Sequence, residues 1–310
     1  MRRRRLAGAA AAIATVAALA TGGGASASGT SLQSHGIHYT LPLGATSAAA
    51  SGNNLAYNGG PVEQAGTVDY AIYWEPGLAF GVSAKYNSLT TQFLQDIGGS
   101  ALYGIATQYY QVSGGTQQNI VNSSSFGGSW VDTSLYPTNP LLDSQIQAEV
   151  SKAISVNHWT AGVGHEFFVF TGKNEVVCTS VFCSNAYFCA YHASFTSGSQ
   201  VVLYADHPYA NTLPAGCNTP TSPNADSDAD SAVNVMSHEL METVTDPEVG
   251  TPTNLAWVDS SGNEIGDKCN FTFGPTDASG ADVTLNGHRY IVQQEWSNRA
   301  NGGAGACTMS

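Results

Sequence analysis

Hydrophobic and polar positions along the chain follow two periods. Thr67-Val-Asp-Tyr-Ala-Ile-Tyr-Trp74 is a run of β-branched and aromatic residues closed by Glu75-Pro76-Gly77, which predicts a buried strand. From Ser83 to Ile97, Leu89, Phe93 and Ile97 recur every fourth position and mark one face of a helix. A second helix is predicted from Asp143 to Val156, where Ile146, Val150 and Ile154 repeat behind an aspartate suited to the helix start. Beyond it the pattern is that of strands: Glu166 to Phe170, the cysteine-rich stretch up to His192, and Gln200 to Tyr204. Near the end, two short strand-like runs from Val283 to Val292 flank Asn286-Gly287, a pair that favours a tight hairpin turn. Helices and strands mix without regular alternation, so the predicted class is α+β, one domain with a mixed or antiparallel sheet.

The first residues break this pattern. Four arginines, an alanine-rich apolar run and Ala25-Ser26-Ala27 read as a secretory signal peptide over residues 1–27, with the apolar run from Leu6 to Ala20 too short for a membrane span. Residues 28–60 are Ser, Ala, Gly, Thr and Asn with few large apolar side chains, and read as a flexible low-complexity arm. Its histidines, His35 and His38, are accordingly expected in solvent. The folded domain is placed at residues 61–310.

Export changes the charge and the cysteine chemistry. Loss of four of the ten basic residues leaves six against 23 acidic, a net charge of −17, which excludes a nucleic-acid partner. The six cysteines, Cys178, Cys183, Cys189, Cys217, Cys269 and Cys307, read as up to three disulfides, with 15 pairings possible. Cys269 with Cys307 is the preferred pair, since it would tie the tail to the segment around Glu264. A zinc knuckle from Cys178, Cys183, Cys189 and His192 is the competing arrangement.

Candidate chemistry concentrates between Asp228 and Val244. Val233, Met236, Leu240 and Val244 supply a core stripe, while His238 and Glu242, four apart, share a helix face. His238-Glu-x-x-Glu242 has the geometry of the zinc-hydrolase H-E-x-x-H helix with a carboxylate as the second ligand, and Glu239 stands where the general base would be. Glu239, Glu242, Asp246 and Glu248 crowd a stretch without Lys or Arg, and acids at a helix C-terminus oppose its dipole. A bound cation relieves both. Glu264 and Asp267 are rival third ligands, with Asp246 a further choice. One histidine and two carboxylates would leave Zn²⁺ neutral, a weaker Lewis acid than the usual set, and other divalent cations suit such ligands too. The chain has no G-x-S-x-G, P-loop or G-x-G-x-x-G.

Ser237-His-Glu-Leu-Met-Glu-Thr-Val-Thr-Asp-Pro247, Ala256 to Cys269 (A-W-V-D-x-x-G-N-E-I-G-D-K-C), Phe188 to Phe195 and Asn286 to Gln293 resemble the phosphate-induced protein 1 family, the EXORDIUM-like proteins. The resemblance covers about Leu55 to Cys307 and implies a secreted, cell-wall-associated protein without implying catalysis. It also makes His192, in Cys189-x-x-His192, a further metal ligand or proton donor, whereas Asn58 stands where the family would have His. Two functions follow as expectations: a secreted, zincin-like, peptidase-like zinc hydrolase using Glu239 and His192, with His238, Glu242 and Glu264 or Asp267 on the metal; or a non-catalytic extracellular binding protein with a structural metal. The partner is an extracellular peptide or wall polymer, and the protein a monomer.

Overall fold

A six-stranded mixed sheet organises the chain. In the computed structural model, which describes residues 36–45, 53–180, 182–249 and 254–310, its strands are β1 (Ile37–Thr40), β2 (Thr67–Trp74), β3 (Ser124–Asp132), β4 (His165–Thr171), β5 (Ala190–Ser197) and β6 (Gln200–His207). Their spatial order is β1-β5-β6-β4-β2-β3. The half made of β6, β4, β2 and β3 is parallel, and the β1-β5-β6 half is antiparallel. The longer helices are α1 (Tyr86–Asp96), α2 (Asp143–Asn157) and α3 (Ser227–Thr245). No helix among the described residues is long and apolar enough to cross a membrane.

Alternation along the strands sorts the side chains onto two faces. Ala71 and Tyr73 of β2 join Phe168 and Phe170 of β4 in a core with Phe93 of α1 and Met236 and Leu240 of α3. Tyr70, Ile72 and Trp74 point the other way, onto Ile146, Val150 and Ala153 of α2. Burying each such large apolar side chain contributes about 1.5–3 kcal/mol, and truncating Leu240, which is fully enclosed, costs about 2–5 kcal/mol.

The strands and helices read from the pattern lie where expected, within a few residues. The hairpin forms as well, from β7 (Val283–Leu285) and β8 (His288–Tyr290), with Asn286 and Gly287 at φ 48° and 90° as a tight turn of this hand requires. Three disulfides, Cys178–Cys183, Cys189–Cys217 and Cys269–Cys307, use all six cysteines, so the preferred pair is present and the zinc knuckle is not.

The arm at 28–60 needs correction. The signal peptide and His35 lie outside the described residues, but Ile37–Thr40 is a sheet strand, and Ala56–Tyr57 pairs with Trp257–Val258. Four residues of alternating pattern suffice at β1 because Tyr39 fills an aromatic pocket of Phe182, Phe188 and Tyr191. Low complexity on both sides hid the strand.

Candidate metal centre

Helix α3 is the scaffold of the site. Asp226 caps it by accepting from the Ala229 amide, and Asp228 and Asp230 in its first turn complement the dipole. Every residue from Ala229 to Thr245 is buried, so the carboxylates of its last turns cannot be a solvated acidic face.

His238, Glu239, Glu242, Glu264, Asp267 and His192, six of the residues singled out in the sequence, come together against this helix. His238 Nε2 lies 2.9 Å from Glu242 Oε1 and 3.9 Å from Asp267 Oδ1. Glu264 and Asp267 approach from a turn after Trp257–Val258, where the Asp267 amide donates to Glu242 Oε1 at 3.0 Å and the Glu264 amide to Asp267 Oδ2 at 3.2 Å. His192, on β5, sits with Nδ1 2.8 Å from Glu239 Oε2 and 3.6 Å from Glu242 Oε2. Of the other rivals, Asp246 caps α3 and accepts from the Ala256 amide while its buried carboxylate still acts on Glu264, and Asn58 is exposed and bonds backbone carbonyls.

The residue that sequence reasoning missed is His38. β1 aligns it with His192 across the sheet, and its Nε2 lies 2.6 Å from Asp267 Oδ2 while Nδ1 lies 3.2 Å from Glu264 Oε1. Far from being a solvated tail histidine, it is 2% exposed. Two residues on, the Thr40 hydroxyl and amide both donate to Glu239 Oε1. The remaining missed partner is Gln293, whose Oε1 faces His238 Nδ1 at 3.1 Å and also accepts from the Phe271 amide, while its Nε2 donates to Gly266 O. With the amide fixed in this way, His238 donates from Nδ1 and turns the lone pair of Nε2 toward the carboxylates, the arrangement that metal-bound imidazoles use.

The electrostatics are those of a buried charge cluster. Burial disfavours a charged His38, but Asp267 and Glu242 outweigh it and hold its pKa at about 9. His238 is raised in the same way, its burial overcome by Glu242 and Glu239. Glu239 and Asp267 are lowered despite burial, by His192 and His38 respectively. Glu264 is driven up by burial and by Asp246 and Glu242. Fully buried Glu295, which feels His238 and Glu242, is driven up by burial as well. Without a cation the cluster needs protons to approach neutrality, and a divalent ion replaces them.

Whether these side chains fit a metal can be judged from their unpaired atoms. Nδ1 of His38, Nε2 of His192 and of His238, Oε2 of Glu242 and both oxygens of Glu264 are buried without a hydrogen bond. Such atoms are rare in folded proteins and costly. Here they are nitrogen and carboxylate donors converging on one place, a set that suits zinc or a harder divalent ion.

No family model matches the chain, and neither a curated protein nor a solved structure does. The likeness to the EXORDIUM-like proteins therefore rests on the motifs quoted above.

Proposed function

We propose that this chain is a secreted, zincin-like metal-dependent hydrolase, peptidase-like in chemistry, acting on an extracellular peptide or wall polymer as a monomer. The observation that carries the reading is the burial of the H-E-x-x-E stretch of α3 against two further histidines and two further carboxylates. His238 and Glu242, with Glu264 or Asp267, would hold zinc. When bound, the ion would supply Lewis acidity to water and to a substrate carbonyl. Glu239 would take a proton at Oε2, and His192, hydrogen-bonded to that oxygen, would pass it on. Thr40 keeps the Glu239 carboxylate aimed at His192. Three disulfides and the leader sequence support an extracellular location.

A second reading, a structural metal in a non-catalytic binding protein, is favoured by one observation. His38, His192, His238, Glu239, Glu242, Glu264 and Asp267 are all at most 3% exposed, so a substrate reaches them only after the surrounding segments move. Glu239→Gln separates the two. A hydrolase keeps its fold and at least one metal ion while cleavage of a peptide library falls about two to four orders of magnitude. Metal-loaded wild type that cleaves neither peptides nor wall-derived glycans and esters would leave the binding protein as the function.

A further inference from the structure

The donors around α3 form two groups rather than one. His38, Glu242 and Asp267 each offer an atom within 4.8 Å of the others, and His192, Glu239 and Glu242 do the same. Two ligands of one zinc ion, each bonded at about 2.0–2.2 Å, lie no more than about 4.4 Å apart. A single ion therefore does not gather both sets. Glu242 belongs to each: its Oε2 lies 3.9 Å from His38 Nε2 and 3.6 Å from His192 Nδ1.

The backs of the same two rings are joined as well. Glu264 Oε1 is 3.2 Å from His38 Nδ1, and its Oε2 is 3.7 Å from His192 Nε2. One carboxylate thus faces both imidazoles, on the side of each ring away from Glu242 and without a hydrogen bond to either. Gln293 stands on the corresponding side of His238, whose Nε2 also faces Glu242. The ring centroids of His38 and His192 are 5.6 Å apart, which accommodates ions at the roughly 3.5–4 Å separation of two-metal sites.

Charge supports the same count. Glu239, Glu242, Glu264 and Asp267 carry four negative charges when ionised, and three neutral imidazoles add none. One divalent cation leaves two of these negative charges uncompensated in a place closed to water, where buried Asp246 and Glu295 add to the same field, so a second cation is favoured.

We propose that the centre holds two divalent cations bridged by Glu242, one held by His38 and Asp267, the other by His192 and Glu239. His238 joins the first ion through the Nε2 that faces Glu242 Oε1 and Asp267 Oδ1. The proposal rests on the metal reading above but changes the part played by Glu239, from a base beside one ion to a ligand of a second.

The test is metal stoichiometry of the full-length exported protein, saturated with Zn²⁺ or Mn²⁺ and freed of loose ions by gel filtration. Two ions per chain are expected in the wild type, falling to one in Glu239→Gln and one in His38→Ala. The Mn²⁺ form should give an exchange-coupled magnetic resonance spectrum instead of the six-line pattern of an isolated ion, a readout that needs no variant to fold. One ion per chain with an uncoupled spectrum overturns the two-cation centre and leaves the single-ion hydrolase standing. No ion at all overturns both.

Discussion

His207 offers a quantitative check on the buried side of the sheet. The ring ends β6, is fully buried, and stacks on Phe168 and Phe170 at centroid distances of 5.7 and 5.0 Å, with neither nitrogen hydrogen-bonded. Burial lowers its pKa from 6.5 to about 4. The folded chain therefore resists a proton that the unfolded chain accepts, so this ring subtracts stability as pH falls through 6.5 and goes on doing so down to about 4. At pH 5 the unfolded ring is nearly all protonated and the folded one about a tenth. Linkage then puts the penalty at about 2 kcal/mol, against about 0.2 kcal/mol at pH 7. His207→Phe keeps an aromatic stack and removes the titration. Any packing cost of the larger ring is the same at both pH values, and the metal centre is common to both proteins. Thermal unfolding followed by circular dichroism should show the variant gaining about 4–7 °C on wild type between pH 7 and pH 5. Parallel melting-temperature curves over that range would refute the argument, because they would mean that water or a polar group reaches the ring.

Three other outcomes follow from the centre and its supports. A Cβ at Gly266 would lie 2.9 Å from His238 Cγ and 3.0 Å from Glu242 Oε1, so Gly266→Ala should displace both ligands and lower the retained metal, measured by elemental analysis, while the disulfides still form. Gln293→Leu removes the acceptor that orients His238 and should weaken metal affinity by about 10- to 100-fold in competition with a chelating dye. Thiol titration of the denatured, unreduced protein should find no free cysteine, and replacing Cys269 and Cys307 together by serine should cost roughly 4 kcal/mol in denaturant unfolding, from the 38-residue separation that the bond closes.

Much of this molecule is legible in its sequence where one signal dominates. The β2 run from Thr67 to Trp74 is apolar enough on both faces to be read as buried, and the Asn286-Gly287 turn has few alternatives. His238 and Glu242 are local to each other, so helical spacing alone places them on one face. Glu264, Asp267 and His192 were reachable only as candidates, because their meeting depends on how far the chain returns. His38 was out of reach for a different reason. It is 229 residues from Asp267 in the chain, and the surrounding Ser, Ala and Gly outweighed the four residues of strand pattern. Burial of α3 from Ala229 to Thr245 was also hidden, because a helix carrying His238, Glu239 and Glu242 looks amphipathic until partners for its polar side chains are known.

The placement of β1 at the edge of the sheet has a practical consequence. Trimming the chain at residue 60, where composition suggests a boundary, would remove His38 and Thr40 together with the strand that covers β5. The backbone of β5 would then lose the pairing that β1 supplies along Ala190 to Ala193, in a strand holding Tyr191 and Phe195. Uncovered strands of this kind join other chains, so the shortened protein would reach the test tube as aggregate and its missing activity would be mistaken for evidence about the active site.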